Sequence, residues 1–167
     1  HSFPTRRSSD LQELQREGIL LDSFYYQQMD KLQIQHPQLE ASGLALDMLA
    51  YHTTVMGTSN AKADVEIKAR YDQRPEASLL LKLFKSLYLL SDTGGIMTSL
   101  AHDTLAPLVR KEFQQSGRPG QRASIILENK LLAYSKDPET VLDPTDLATV
   151  EAGKLGMAAW KGDSLKL

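Results

Sequence analysis

Two runs able to form strands, Leu87-Tyr88-Leu89-Leu90-Ser91 and Ile96-Met97-Thr98-Ser99-Leu100, flank Asp92-Thr93-Gly94-Gly95. This arrangement restricts the fold more than any other in the chain. Gly takes φ > 0 without steric cost, so Asp followed by paired Gly suits a tight reversal and predicts a small β-hairpin. A helix start comes next, in Leu100-Ala101-His102-Asp103-Thr104-Leu105-Ala106-Pro107-Leu108-Val109. His102 is thereby expected where a strand stops and a helix begins. Helix starts expose unpaired N–H groups and the positive end of the helix dipole, so phosphate suits that place better than a core does.

Ahead of the hairpin the pattern is helical. Residues 12–35 are rich in Gln, Glu and Leu, carry Phe24-Tyr25-Tyr26, and run up to Pro37. A second helix is predicted over about 39–55, with Leu44, Met48, Tyr51, His52 and Val55 along one face, and Gly57-Thr58-Ser59-Asn60 breaks it. A shorter helix over Asp64–Tyr71 has Val65 and Ile67 as its strong apolar residues. Arg74-Pro75-Glu76 opens a third helix, Pro being suited to a first turn, and its apolar positions are Ala77, Leu79, Leu80, Leu81, Leu83, Phe84 and Leu87. Helix, short helix, helix, hairpin is the order of a winged helix-turn-helix. The expected fold class is therefore mainly α: a winged helix with a small β-hairpin wing, followed by a helical extension.

The helix after the wing is predicted from about Thr104 to Gln115, burying Leu105, Leu108, Val109 and Phe113. Asp103 or Thr104 would cap it, Pro107 would lie in its first turn, and Gly117 would end it. Beyond Arg118-Pro119-Gly120, an amphipathic helix over Gln121–Tyr134 carries Ala123, Ile126, Leu127, Leu131 and Tyr134. Asp137-Pro138 and Asp143-Pro144 bracket a polar loop, and Asp143 as cap with Pro144 first in line opens a last helix to about Met157. Gly153 and Gly156 weaken that helix by about 1 kcal/mol each relative to Ala, so packing is expected to hold it. Trp160 and the tail take no assignment.

Residues 1–11, His1-Ser2-Phe3-Pro4-Thr5-Arg6-Arg7-Ser8-Ser9-Asp10-Leu11, resemble a translated sequencing adapter. They have no Met start and no hydrophobic periodicity, which excludes a signal peptide; a native basic arm is the rival reading. Arg6 and Arg7 are discounted from the cations, and the native chain is expected to begin upstream of residue 12. The remainder divides into a helical segment over 12–38, a winged-helix domain over 39–117 and a helical linker over 118–167. A formal charge of −2 gives no general attraction to nucleic acid or anionic lipid. The absence of cysteine excludes disulfides and thiolate metal sites. The apolar runs are too short to span a bilayer, so a soluble, cytoplasmic segment without membrane contact is expected.

A winged helix invites a DNA-binding reading, and the residues oppose it. The third helix would have to offer Arg, Lys, Asn or Gln to base edges, yet it brings only Lys82 and Lys85. A helix apolar nearly all round is expected to be buried on more than one side. The sequence instead suggests a winged helix packed inside a larger protein.

Leu100–Val109, Arg110-Lys111-Glu112-Phe113 and Gly117-Arg118-Pro119-Gly120-Gln121-Arg122-Ala123 resemble the C-terminal winged-helix region of bacterial STAND-type signal-transduction NTPases, relatives of the NACHT and NB-ARC proteins. Ile126-Leu127-Glu128-Asn129, Asp146–Gly153 and Gly156-Met157 extend the likeness, which covers about 39–157 and is densest over 100–129. The resemblance implies a domain that folds over the nucleotide site and holds the ADP-bound protein closed. In that family a Met-His-Asp motif gives a histidine to the β-phosphate of ADP. His102 and Asp103 occupy the matching place, with Ala101 where the motif has Met.

By that likeness His102 would contact phosphate, Asp103 would orient the ring or cap the helix, and Arg110, Lys111, Arg118 and Arg122 could support the anion site. The plainer alternatives are a histidine bonded to a backbone carbonyl, a simple cap and a solvated basic edge. His36 and His52 lack partners at metal spacing and read as structural or exposed; no metal site is expected. No catalytic residue is assigned. A G-x-x-x-x-G-K-[ST] loop is absent, since Gly94-Gly95 lacks the lysine and Gly153-Lys154 is followed by Leu155. ADP or ATP with Mg²⁺ would belong to the parent protein, with none bound by this segment alone. The implied partners are an upstream NTPase domain and a downstream effector or sensor of the same chain. The competing classes are a DNA-binding transcriptional regulator and a purely structural helical adaptor.

Overall fold

Proline and glycine set the boundaries of the helices. The computed structural model describes residues 20–167; the adapter-like stretch 1–11 and the opening of the helix expected over 12–35 lie outside the described residues. Helix α1 occupies 20–35, followed by α2 (Pro37–Ala41), α3 (Leu44–Tyr51), strand β1 (Lys62–Ala63), α4 (Asp64–Arg70) and α5 (Pro75–Ser86). Strands β2 (Leu90–Thr93) and β3 (Met97–Leu100) lead through a 3-10 turn, Asp103–Leu105, to α6 (Ala106–Gln115). Helices α7 (Pro119–Lys136) and α8 (Pro144–Ala152) complete the chain with short 3-10 turns at Lys154–Gly156 and Gly162–Lys166. Pro stands at the first or second position of α2, α5, α6, α7 and α8, where its missing N–H has no intrahelical partner to lose.

The architecture is mainly helical with one small antiparallel sheet of order β1-β3-β2. The hairpin forms where expected, Thr93 pairing Met97 and Leu90 pairing Leu100, with Gly94 and Gly95 at φ 65° and 84°. Its first strand begins late because α5 claims the residues before it. Leu89 N–H donates to Phe84 C=O at 2.9 Å and Tyr88 N–H to Lys85 C=O at 3.2 Å. That is a Schellman closure, with Tyr88 in the left-handed position at φ 59°. The third strand, β1, was not anticipated: it pairs Lys62 with Thr98 and Ala63 with Met97.

The single helix expected over 39–55 is two helices. Gly43, at φ 96°, breaks the run, and α3 ends at Tyr51. Val55 is 83% exposed in the following loop. Within α3, Leu44 through Ala50 are all buried, so this helix is the centre of the core. Helix α5 is buried along one stripe only, Ala77, Leu80 and Phe84, while Leu79 is 42% exposed; the expectation of burial on several sides does not hold for the described residues. Helix α6 starts two residues late, behind the 3-10 turn, and neither helical start has a side-chain cap from Asp103 or Thr104.

The larger core joins α1 through α6, and a smaller cluster of Ala123, Leu127, Leu142, Val150 and Met157 lies between α7 and α8, with Trp160 packed against it. Residues 118–167 are tied back onto 39–117. Gly120 N–H donates to Ser42 C=O at 2.8 Å and Ala159 N–H to Arg70 C=O at 2.8 Å. The Arg74 guanidinium donates to the carbonyls of Leu155 and Met157 at 3.1 and 2.7 Å. Gly153 and Gly156 make this closure possible: a Cβ on Gly153 would come within 2.2 Å of Pro119 O, and one on Gly156 within 1.9 Å of Ser42 O. The packing expected to hold the last helix therefore comes from this chain. Among the described residues no helix is long and apolar enough to cross a membrane.

Candidate functional site

His102 stands at the junction of β3 and the 3-10 turn, with extended backbone (φ −133°, ψ 121°). Leu100 is held by the hairpin and Leu105 by the core, each almost fully buried, so the residues between them are fixed at both ends. The imidazole is exposed. Among the described residues its aromatic neighbour is Phe24 of α1, whose ring meets it edge to face at 88° with centroids 6.3 Å apart. No side-chain hydrogen bond engages the ring within the described residues.

Among the described residues, two of the four basic residues singled out in the sequence, Arg118 and Arg110, have partners other than His102. Arg118 pairs with Glu40 and donates to Ser116 Oγ at 3.3 Å, beside Tyr25 and Tyr26. Arg122 and Lys111 are exposed. Arg110 sits over the Phe113 ring, 5.6 Å from its centroid, in a different cleft shared with Lys62 and Arg70. Asp103 borders a shallow depression with Thr104, Pro107, Gly57, Thr58 and Ser99.

The Gly117–Arg122 segment has a clear local purpose. Gln121 is fully buried; its Nε2 donates to Gly43 C=O at 2.7 Å and its Oε1 accepts from Ser116 Oγ at 2.9 Å. With Arg118 on Glu40 and Gly120 on Ser42, three neighbouring residues latch α7 onto the α2–α3 turn. Sequence reasoning missed this latch because its partners lie 78 residues away.

Of two buried polar groups, Asp47 escaped notice and His52 was read only as structural or exposed. Asp47, with no exposure, accepts from Tyr71 Oη at 2.6 Å and from Arg70 Nη2 at 3.2 Å. Burial pushes this carboxyl up, while the Arg70 guanidinium and the Tyr71 hydroxyl pull against that rise. His52 is equally buried; its Nδ1–H donates to Met48 C=O at 2.8 Å, and Nε2 lies 2.8 Å from Thr98 Oγ1. A carbonyl only accepts, so Nδ1 holds the proton and neutral Nε2 accepts from the threonine. Burial lowers the His52 pKa, and nearby Lys62 and Arg70 add to the fall against the Met48 bond. Asp47 inside α3 and His52 at its C-terminal end, among residues otherwise apolar, were the available signal.

No family model, no curated protein and no solved structure matches this chain.

Proposed function

We propose that the chain is the regulatory winged-helix segment of a STAND-type ATPase switch, which stabilises an ADP-bound resting state and couples it to a downstream domain. The order of helix, short strand, helix, helix and hairpin supports the winged-helix reading, as does pairing of β1 with the second strand of the hairpin. The observation that carries the functional reading is the exposed imidazole of His102, without a hydrogen bond among the described residues, at a strand-to-helix junction. An imidazole N–H there can donate to a phosphate oxygen, and the adjoining helical start favours negative charge. Arg118 is paired with Glu40 among the described residues, so the reading rests on His102 rather than on that arginine.

ADP or ATP with Mg²⁺ would be held by an upstream nucleotide domain, where hydrolysis would also belong. His102 would add one contact to the diphosphate from outside. The DNA-binding reading gains nothing from the outward residues of α5, Glu76, Ser78, Leu79 and Lys82, which offer one cation and one carboxylate. In the parent protein with its nucleotide domain, His102→Ala should release ADP about ten- to a hundredfold faster, the worth of one hydrogen bond to a charged group. Unchanged release would overturn the proposal.

A further inference from the structure

We propose that a cleft between the end of α3, β1, the end of α4 and the middle of α6 binds a small phosphate-type dianion, independently of His102. The cleft has a volume of about 220 Å³ and is lined by Tyr51, Thr53, Lys62, Arg70, Arg110 and Phe113. Elements far apart in sequence thus direct three cations to one place, which local helix chemistry would not produce.

The donors of this cleft are incompletely used. Arg70 spends Nε and Nη2 on Asp47 and Tyr71, and its Nη1 makes no hydrogen bond among the described residues. Arg110 Nε is buried without a hydrogen-bond partner there. An orphaned buried guanidinium N–H costs free energy unless something outside the described fold accepts from it. Lys62 Nζ lies 4.4 Å from the Tyr51 ring centroid and 3.9 Å from a half-exposed Glu66 carboxylate, a weak pairing. The buried carboxylate bonded to Arg70, Asp47, is already satisfied by Arg70 and Tyr71. A positive excess remains, partly shielded from water by two aromatic rings.

Size and geometry choose the ligand. A drug-sized site holds about 300–1,000 Å³, so this cleft suits a compact anion better than a whole nucleotide. Two guanidinium groups and an ammonium match the several oxygens of phosphate, since guanidinium forks bind such groups in pairs of hydrogen bonds.

Calorimetric titration of the full chain with inorganic phosphate, at constant ionic strength set by chloride, tests the site. Saturable binding is expected, weakened at least about tenfold in Arg110→Gln and again in Lys62→Gln. Lys136→Gln, which removes the same charge from the exposed end of α7, should bind as the unaltered chain does. Thermal unfolding of each variant reports whether it folds, and should Arg110→Gln fail to do so, Lys62→Gln decides. No saturable phosphate binding, equal affinity in the cleft variants, or equal weakening in Lys136→Gln would overturn the proposal.

Discussion

Gly120→Ala measures how much of the fold depends on close backbone approach between α7 and the residues after α8. Gly120 is an α7 residue with unexceptional φ, so backbone freedom does not explain it. Taken alone, the helix would gain about 1 kcal/mol from Ala. A Cβ at 120, however, would lie 1.9 Å from Gly156 O and 2.5 Å from Gly156 C, about 1.5 Å inside ordinary contact. The obstructing atoms are backbone, and Gly156 is itself pressed against Ser42 O, so neither side can yield alone. Overpacking of this kind costs about 1–3 kcal/mol, at the upper end where backbone must move. The Gly120 N–H bond to Ser42 would be strained with it, a further ~1 kcal/mol. We expect net destabilisation of about 2–3 kcal/mol in urea unfolding, or a fall in Tm of roughly 4–12 °C for a chain of this length. Gly117→Ala is the control, since nothing lies within 4 Å of its Cβ and its φ is not positive; it should be neutral or gain up to ~1 kcal/mol. If Gly120→Ala is as stable as the control, the reasoning fails.

Further outcomes follow from other sites. Tyr88→Gly should stabilise the chain by about 1 kcal/mol in urea titration, because Tyr88 holds a left-handed φ of 59° and is 71% exposed, so little packing is lost; a destabilised variant would refute that strain. Asp47→Ala should cost about 3–5 kcal/mol, since it leaves the Arg70 guanidinium and the buried Tyr71 hydroxyl without their acceptor; a loss under 1 kcal/mol would show the network to be dispensable. His52 sets a pH dependence. Its folded pKa lies below the ordinary value near 6.5, so the unfolded chain takes the proton first as pH falls. Stability from neutral His52 is complete above that value and is lost as pH drops below it toward the folded pKa. Unfolding free energies between pH 7.5 and 5.5 should decline in the unaltered chain and decline less in His52→Gln; identical slopes would remove His52 from the account.

Local chemistry was legible in the sequence, and distant chemistry was not. Asp143 was read as a cap, and its carboxylate accepts from Asp146 N–H at 2.8 Å, a contact spanning three residues. The Gly94-Gly95 reversal and the prolines at helix starts are equally local. Strand β1 was invisible because Lys62–Ala63 is two residues long and has no period to detect. The helix expected over about 39–55 ran through Gly43, whose positive φ and the Gln121 amide against it make it a break. Gly153 and Gly156 were legible as weak helix formers and illegible as contact points, since the atoms they admit belong to Pro119 and Ser42. Asp47 and Arg70 could not be matched because any carboxylate and guanidinium in the chain would have served equally well on paper.

The same distinction separates two arginines that the sequence placed in one group. Arg118 meets Glu40 and Ser116, and so its charge is consumed in fastening α7 to the α2–α3 turn. Arg110 meets the face of Phe113, worth about 0.5–1 kcal/mol at a partly exposed site, and its buried Nε meets no acceptor among the described residues. A guanidinium kept for structure is cheaper to satisfy than to leave open, as Arg118 demonstrates within the same chain. Placing Arg110 beside Lys62 and Arg70 adds like-charge repulsion to that cost. An anion would remove both penalties together, and because it binds the folded arrangement alone, it would stabilise the fold by about 2.7 kcal/mol at a concentration one hundred times its Kd. Arg70 would carry that gain into the core, since the guanidinium bordering the cleft is the one that satisfies Asp47.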